Sequence, residues 1–191
     1  MADTTARHLF SVDEWHLMGD IFDEDARVEL FEGEILEMAP VGNRHVLTVN
    51  RLTRLFSRLF GDDVIVSVQN PVVLGQRSEV LPDMALLKGP FERYGTLPRP
   101  TDALLIVEVA DTSVRFDRGR KAVRYGRSGV VETWVVDLVN DAIVVFRGPD
   151  PTDGYREERV VGRGERLAIG ALPGMEVAVG DVLGPARGHG G

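Results

Sequence analysis

Two acids stand where a packed chain has least use for them. Asp83 lies at the edge of Val80-Leu81-Pro82-Asp83-Met84-Ala85-Leu86-Leu87, and Glu108 falls near the end of Ala103-Leu104-Leu105-Ile106-Val107-Glu108-Val109-Ala110. Short apolar runs of this kind read as strands. Core packing explains an acid at the edge of such a strand poorly, because burying an unpaired carboxylate is expensive. Something must compensate the charge. A third residue, Lys121, follows in Asp117-Arg118-Gly119-Arg120-Lys121, on a segment that reads as a helix. Carboxylates on neighbouring strand ends can grip a divalent cation, and a nearby ammonium can steady a phosphate under attack. That is a minimal hydrolytic nuclease site. The plain alternative gives both acids to strand-end hydrogen bonds and pairs Lys121 with Asp117 one helical turn away.

The rest of the chain limits the choices. A length of 191 residues suits one domain with a full core. We assign it to residues 10–183, with an N-terminal tail over 1–9 and a disordered Gly-rich tail over 184–191. The chain has no cysteine, which excludes disulfides and thiolate metal sites. Its four histidines, His8, His16, His45 and His189, show no paired ligand spacing for zinc. No apolar run is long enough for a secretory signal or a membrane span, so a cytoplasmic location is expected. The net charge of −8 argues against coating nucleic acid by bulk electrostatics. Arg115, Arg118, Arg120, Lys121, Arg124 and Arg127 nevertheless form a local cationic stripe, in which Arg118, Arg120 and Arg124 are candidates for phosphate contacts. An exposed helix face explains the stripe equally well.

Local patterns predict the elements. Ser11 with Glu14 forms a capping box for a short helix to Met18, with Val12, Trp15 and Leu17 or Met18 inward. Residues 27–31 and 34–38 read as a hairpin turning at Glu32-Gly33, since Gly takes the positive φ of a tight turn. From Arg44 to Phe60, the residues Val46, Val49, Leu52, Phe56, Leu59 and Phe60 recur at helical spacing. Strands are expected over Val64–Val68 and Val72–Leu74, then, after a polar connection, in the run holding Asp83. A loop over 91–101 leads to the strand ending at Glu108. A helix beginning at Asp111, Thr112 or Ser113 carries Lys121 and stops at Gly129. Val130–Asp137 and Ala142–Arg147 are further strands around Asn140-Asp141, and Tyr155–Leu183 suggests short edge strands. The sum is an α/β (α+β) fold, a mixed central sheet flanked by helices with additional antiparallel hairpins.

In order along the chain stand Val28-Glu29-Leu30-Phe31-Glu32-Gly33-Glu34-Ile35, Pro82-Asp83, Ile106-Val107-Glu108-Val109-Ala110-Asp111-Thr112-Ser113, Asp117-Arg118-Gly119-Arg120-Lys121, Tyr125 and Val131-Glu132-Thr133-Trp134-Val135-Val136-Asp137. This succession resembles the Uma-two family of predicted endonucleases, placed in the PD-(D/E)XK restriction-endonuclease-like superfamily, over roughly residues 8–180. The resemblance implies a restriction-endonuclease-like fold and metal-dependent hydrolysis of DNA, with Mg²⁺ or Mn²⁺ as cofactor. It implies that Asp83 and Glu108 bind the metal, that Lys121 is the catalytic lysine, and that the protein is a homodimer. The carbonyl of Val109 could complete the metal site. The lysine expected two residues after the second acid is Ala110 here, and the resemblance implies that Lys121 on the helix substitutes for it.

Glu29 matches the acid of the family's first hairpin and is a possible additional carboxylate, or else one exposed strand acid among Glu32, Glu34 and Glu37. Gln69 could orient water or contact phosphate, or satisfy backbone groups near a turn. His45 begins the long helix and could approach the site. Trp134 and Tyr125 fit core packing better than base stacking. Ser113 lacks the setting of a hydrolase nucleophile, and no dinucleotide or Walker fingerprint occurs. A second reading stays open, a catalytically inactive module of the same fold that binds nucleic acid or a protein partner.

Overall fold

The computed structural model describes residues 6–19, 21–22, 26–38, 40–111 and 117–186, except for the side chains of Asp117 and Arg118. Its centre is a six-stranded mixed sheet. In chain order its strands are β3 (Val64–Val68), β6 (Met84–Lys88), β7 (Ala103–Ala110), β8 (Glu132–Asp137), β9 (Ala142–Asp150) and β10 (Gly154–Gly162), arranged β10-β9-β8-β7-β6-β3. Only β7 and β8 run parallel, Glu108 lying opposite Val135. A parallel pair needs a crossover, and the crossover here carries Lys121. It includes a π-helical turn over Asp117–Lys121 that continues into a helix, α3 (Ala122–Arg127).

A second, four-stranded sheet is ordered β2-β1-β5-β4, from β1 (Val28–Phe31), β2 (Glu34–Glu37), β4 (Val72–Gly75) and β5 (Ser78–Val80). The β1–β2 hairpin turns at Glu32 and Gly33, with φ of 53° and 85°. Both central residues are therefore left-handed, as a two-residue hairpin turn of matching twist requires. β11 (Arg166–Ala168) and β12 (Glu176–Ala178) pair separately, and a short helix, α4 (Val179–Leu183), follows.

Each face of the central sheet packs on a different layer. On one face, Met84, Leu86, Leu105, Val107, Val109, Trp134 and Val136 meet Val49, Leu52 and Phe56 of helix α2 (Asn43–Leu59), together with α4 and the β11–β12 pair. On the other, Ala85, Leu87 and Ile106 meet Phe31, Val72, Leu74 and Val80 of the small sheet and Tyr125 of α3. Strand alternation puts Glu108 on this second face, with Ile106 and Ala110.

Several expectations need correction. Glu108 lies inside β7, two residues before its end, rather than at its terminus. β5 falls within what reads as a polar connection, because three residues are too few to show alternation. β10 is a nine-residue edge strand, with exposed residues from Arg156 to Val160 that mask it. α4 stands where short strands are expected. α1 (Val12–Met18) has the capping box at Ser11 and Glu14, but Leu17 is 86% exposed and only Val12 is buried. The buried stripe of α2 is His45, Thr48, Val49, Leu52 and Phe56, whereas Val46 and Leu59 face outward. The proposed helix starts Thr112 and Ser113, and the tail ends 1–5 and 187–191, lie outside the described residues. Among those residues no helix is long and apolar enough to cross a membrane.

Candidate active site

β6 and β7 set the two acids side by side. Met84 pairs with Val107, so the next antiparallel step sets Asp83 opposite Glu108. Asp83 precedes β6 and takes over part of the ladder with its side chain: Val109 N–H donates to its Oδ2 at 2.8 Å. That bond draws the carboxylate back over the edge of the pair, where His45 of α2 meets the same oxygen through Nε2 at 2.9 Å. Gln69 N–H donates to the Asp83 carbonyl at 3.3 Å, and its side-chain amide lies 3.4 Å from Oδ1. Gln69 has φ of 52°, an uncommon conformation for a residue with a Cβ. The cost is tolerated where the chain leaves β3 and turns against Asp83.

Glu108 is served from the other side. Tyr125 donates its phenol proton to Oε1 at 2.5 Å, and Lys121 Nζ reaches the same oxygen at 3.4 Å. Lys121 and Tyr125 are four residues apart, so their side chains share one face of the helical segment. The ammonium also lies 3.0 Å from Oε2 of Glu29 on β1, and Leu81 N–H donates to that oxygen at 3.3 Å. Lys121 therefore ties the small sheet to the central one through Glu29 and Glu108.

The sequence candidates thus divide. Asp83 contacts Val109 and Gln69, Glu108 contacts Lys121, which also meets Glu29, and the adjacent positions 108 and 109 of β7 link these two contact sets. Arg124 spends its guanidinium on the scaffold, with Nε donating to Ser78 Oγ at 3.2 Å and Nη2 to the Leu74 carbonyl at 3.4 Å. Arg120 pairs with Glu32 at 3.3 Å and lies over the Phe31 ring. The Arg118 side chain lies outside the described residues.

His45, which the sequence offered as able to approach the site, meets Asp83, whereas Tyr125, expected in the core, is the member that sequence reasoning left out. The signal for His45 was present: positions 45, 49, 52 and 56 form one helical stripe, and His45 is its first residue. For Tyr125 it was the i,i+4 relation to Lys121. Trp134 is a core residue, and its indole N–H donates to Glu132 at 2.6 Å.

Charge separates this cluster from an ordinary buried acid. Glu132 is buried but neutralised by Arg147 at 2.8 Å, and it also accepts from Gly170 N–H at 2.7 Å. Glu29, Asp83 and Glu108 are 2%, 4% and 3% exposed, and Lys121 is 3% exposed. In ionised form Glu29 and Glu108 share the Lys121 ammonium, while Asp83 meets His45, Gln69 and the Val109 N–H, so carboxylates outnumber the ammonium among the described residues. Burial makes such an excess costly unless a cation joins it. No group of three His, Asp or Glu among the described residues forms a ready-made metal cage. Mg²⁺ needs less, since one or two carboxylates with waters and a substrate phosphate suffice. The oxygen-only donor set of Asp83, Glu108 and a main-chain carbonyl fits such a hard cation.

Comparisons with known proteins bear on the fold and the family. The crystal structure of a "putative nuclease belonging to DUF820" from Anabaena variabilis matches with a TM-score of 0.72 at 11% identity, covering 91% of this chain and 97% of that one. The fold is that of a nuclease-like α/β protein. The chain belongs to the Uma2 family, described as "Putative restriction endonuclease", whose model matches residues 12–180. No curated protein matches it.

Proposed function

We propose that this protein is a metal-dependent endonuclease that hydrolyses DNA phosphodiester bonds. The observation that supports this most directly is the buried excess of carboxylate charge beside Lys121. Asp83, Glu108 and the carbonyl of Val109 would hold Mg²⁺ or Mn²⁺. Such an ion, when bound, acidifies a coordinated water and offsets charge on the phosphate. In the reaction, a water oxygen bonds to phosphorus, the bond to one ester oxygen breaks, and the leaving oxygen takes a proton. Lys121 has three donors, and its contacts with Glu29 and Glu108 hold the ammonium at the rim of β7. One donor turned to a non-bridging phosphate oxygen would stabilise the charge that builds there. Tyr125 holds Glu108 in place, and Gln69 braces the turn that carries Asp83. A homodimer would let two such sites address the two strands of a duplex.

The test is cleavage of plasmid and of short single- and double-stranded DNA with Mg²⁺, Mn²⁺ or chelator. The wild type should cut only with metal, and Asp83→Asn, Glu108→Gln and Lys121→Met should not cut. A wild type that cuts nothing, or variants that cut equally well, would overturn the reading.

A second reading is favoured by the charge of −8. It is an inactive module that binds nucleic acid or a protein partner. Salt-sensitive DNA binding without cleavage would support it.

A further inference from the structure

We infer that His45 is a positioning residue for Asp83, holding its carboxylate so that Oδ1, and not Oδ2, is the oxygen turned to the metal. This inference rests on the metal-dependent reading above.

The argument is one of hydrogen-bond capacity. An ionised carboxylate oxygen has two good acceptor directions. Oδ2 of Asp83 receives Val109 N–H at 2.8 Å and His45 Nε2 at 2.9 Å, which fills both. Among the described residues Oδ1 has only the long 3.4 Å approach of the Gln69 amide, a weak contact that a cation could replace. Because Val109 N–H is fixed in the strand backbone, it sets the position of Oδ2 alone. A second donor from outside the strand is needed to stop the carboxylate turning about that bond. His45 comes from a different layer, the first turn of α2, and is 7% exposed.

The ring's own bonding agrees. A carboxylate accepts, so Nε2 carries a proton, and in the neutral ring Nδ1 is left with a lone pair. Nδ1 is buried and has no hydrogen-bond partner among the described residues. A buried polar atom without a partner is costly, and a leucine would fill this stripe beside Val49 and Leu52 without that cost. The Nε2 contact is what the imidazole provides in return. Partners that orient a ligating group typically contribute roughly 10-fold to 100-fold to metal affinity.

The experiment is calorimetric titration of Mn²⁺ alone, without DNA, into wild type, Asp83→Asn, His45→Leu and His45→Gln, with circular dichroism as the control for folding. Gln places an amide donor close to the reach of Nε2, whereas Leu keeps only apolar volume. The expected result is binding by the wild type, weakening by roughly 10-fold to 100-fold in His45→Leu, and recovery in His45→Gln. Wild-type affinity in a folded His45→Leu, with binding lost in Asp83→Asn, would overturn the role of His45 and leave the metal site standing. Equal weakening in the Leu and Gln variants would reduce His45 to packing and overturn it too. No Mn²⁺ binding by the wild type would remove the metal reading and this inference with it. Should His45→Leu fail to fold, the ¹⁵N spectrum of the wild-type imidazole decides. The proton must sit on Nε2, and that resonance must move with Mg²⁺ at the affinity found calorimetrically. A resonance indifferent to saturating Mg²⁺ would refute the assignment.

Discussion

Tyr125 donates to Glu108 Oε1 at 2.5 Å from a ring that is itself fully buried between α3 and the central sheet. The phenol is thus both a core side chain and a direct contact of a site carboxylate. Tyr125→Phe keeps the ring and removes only the donor. Stability should fall by about 1.5–3 kcal/mol, the usual worth of a hydrogen bond to a charged group, as read from urea denaturation. Mn²⁺ affinity should fall as well, because Glu108 loses the group that orients it. A variant with wild-type stability and affinity would show that the contact does neither job.

Lys121 between Glu29 and Glu108 makes a second, separable prediction. Removing the ammonium in Lys121→Met leaves two buried carboxylates without their shared cation, a change that typically costs 3–5 kcal/mol. Glu29→Gln reduces the excess charge from the other side. The double variant Lys121→Met/Glu29→Gln should therefore be more stable than Lys121→Met alone, and a double-mutant cycle by urea denaturation measures the coupling. Additive losses would mean that the 3.0 Å pair carries no coupling energy.

What the sequence discloses and what it hides follow from the range of each signal. The Glu32-Gly33 turn and the capping box at Ser11 are local chemistry, and both are where the residues place them. The juxtaposition of Asp83 and Glu108 is long-range, yet it is foreshadowed because acids in apolar strands are conspicuous. His45 is legible as the first position of the stripe 45, 49, 52 and 56, whereas Val46, expected inward for its hydrophobicity, faces outward on the packed helix. β10 is hidden because its residues 156–160 face solvent at a sheet edge, where polar side chains are the rule. The bonds to Glu108 depend on the crossover from β7 to β8, with a π-helical turn that no residue spacing announces.

Tyr155 gives the protein an alkaline weakness. Burial pushes its phenol far above the ordinary tyrosine value of 10.0, the hydrogen bond with Thr133 opposes this, and the nearby charge of Glu132 adds to it. Above about pH 10 the unfolded chain releases this proton while the folded protein keeps it, so stability falls as pH rises. Below that value the contribution is fully present. Tyr155→Phe loses the bonds to Thr133 and the Val130 carbonyl, at a cost of about 1 kcal/mol near neutrality. Its stability should nevertheless decline less steeply than the wild type's between about pH 9 and about pH 11. Urea denaturation at the two pH values checks this, and parallel declines would exclude Tyr155 as the source.

Gly126 links the packing of α3 to the chemistry of the site. A Cβ built there would lie 1.9 Å from the carbonyl oxygen of Gly154, and one at Gly154 would lie 2.7 Å from Val123 Cα. Helix and strand backbones thus touch directly, which only glycine on both sides permits, and Gly154 also has φ of 92°. This contact seats α3 against β10 one residue after Tyr125 and five after Lys121. Gly126→Ala must push the helix outward, at about 1–3 kcal/mol in stability. The shift would lengthen the Tyr125–Glu108 bond as well, so the variant should lose Mn²⁺ affinity although residue 126 touches no site group. An alanine variant that is destabilised but binds Mn²⁺ normally would mean that α3 moves without carrying Tyr125 and Lys121. Mn²⁺ titration of the folded variant, run beside Tyr125→Phe, distinguishes the two outcomes.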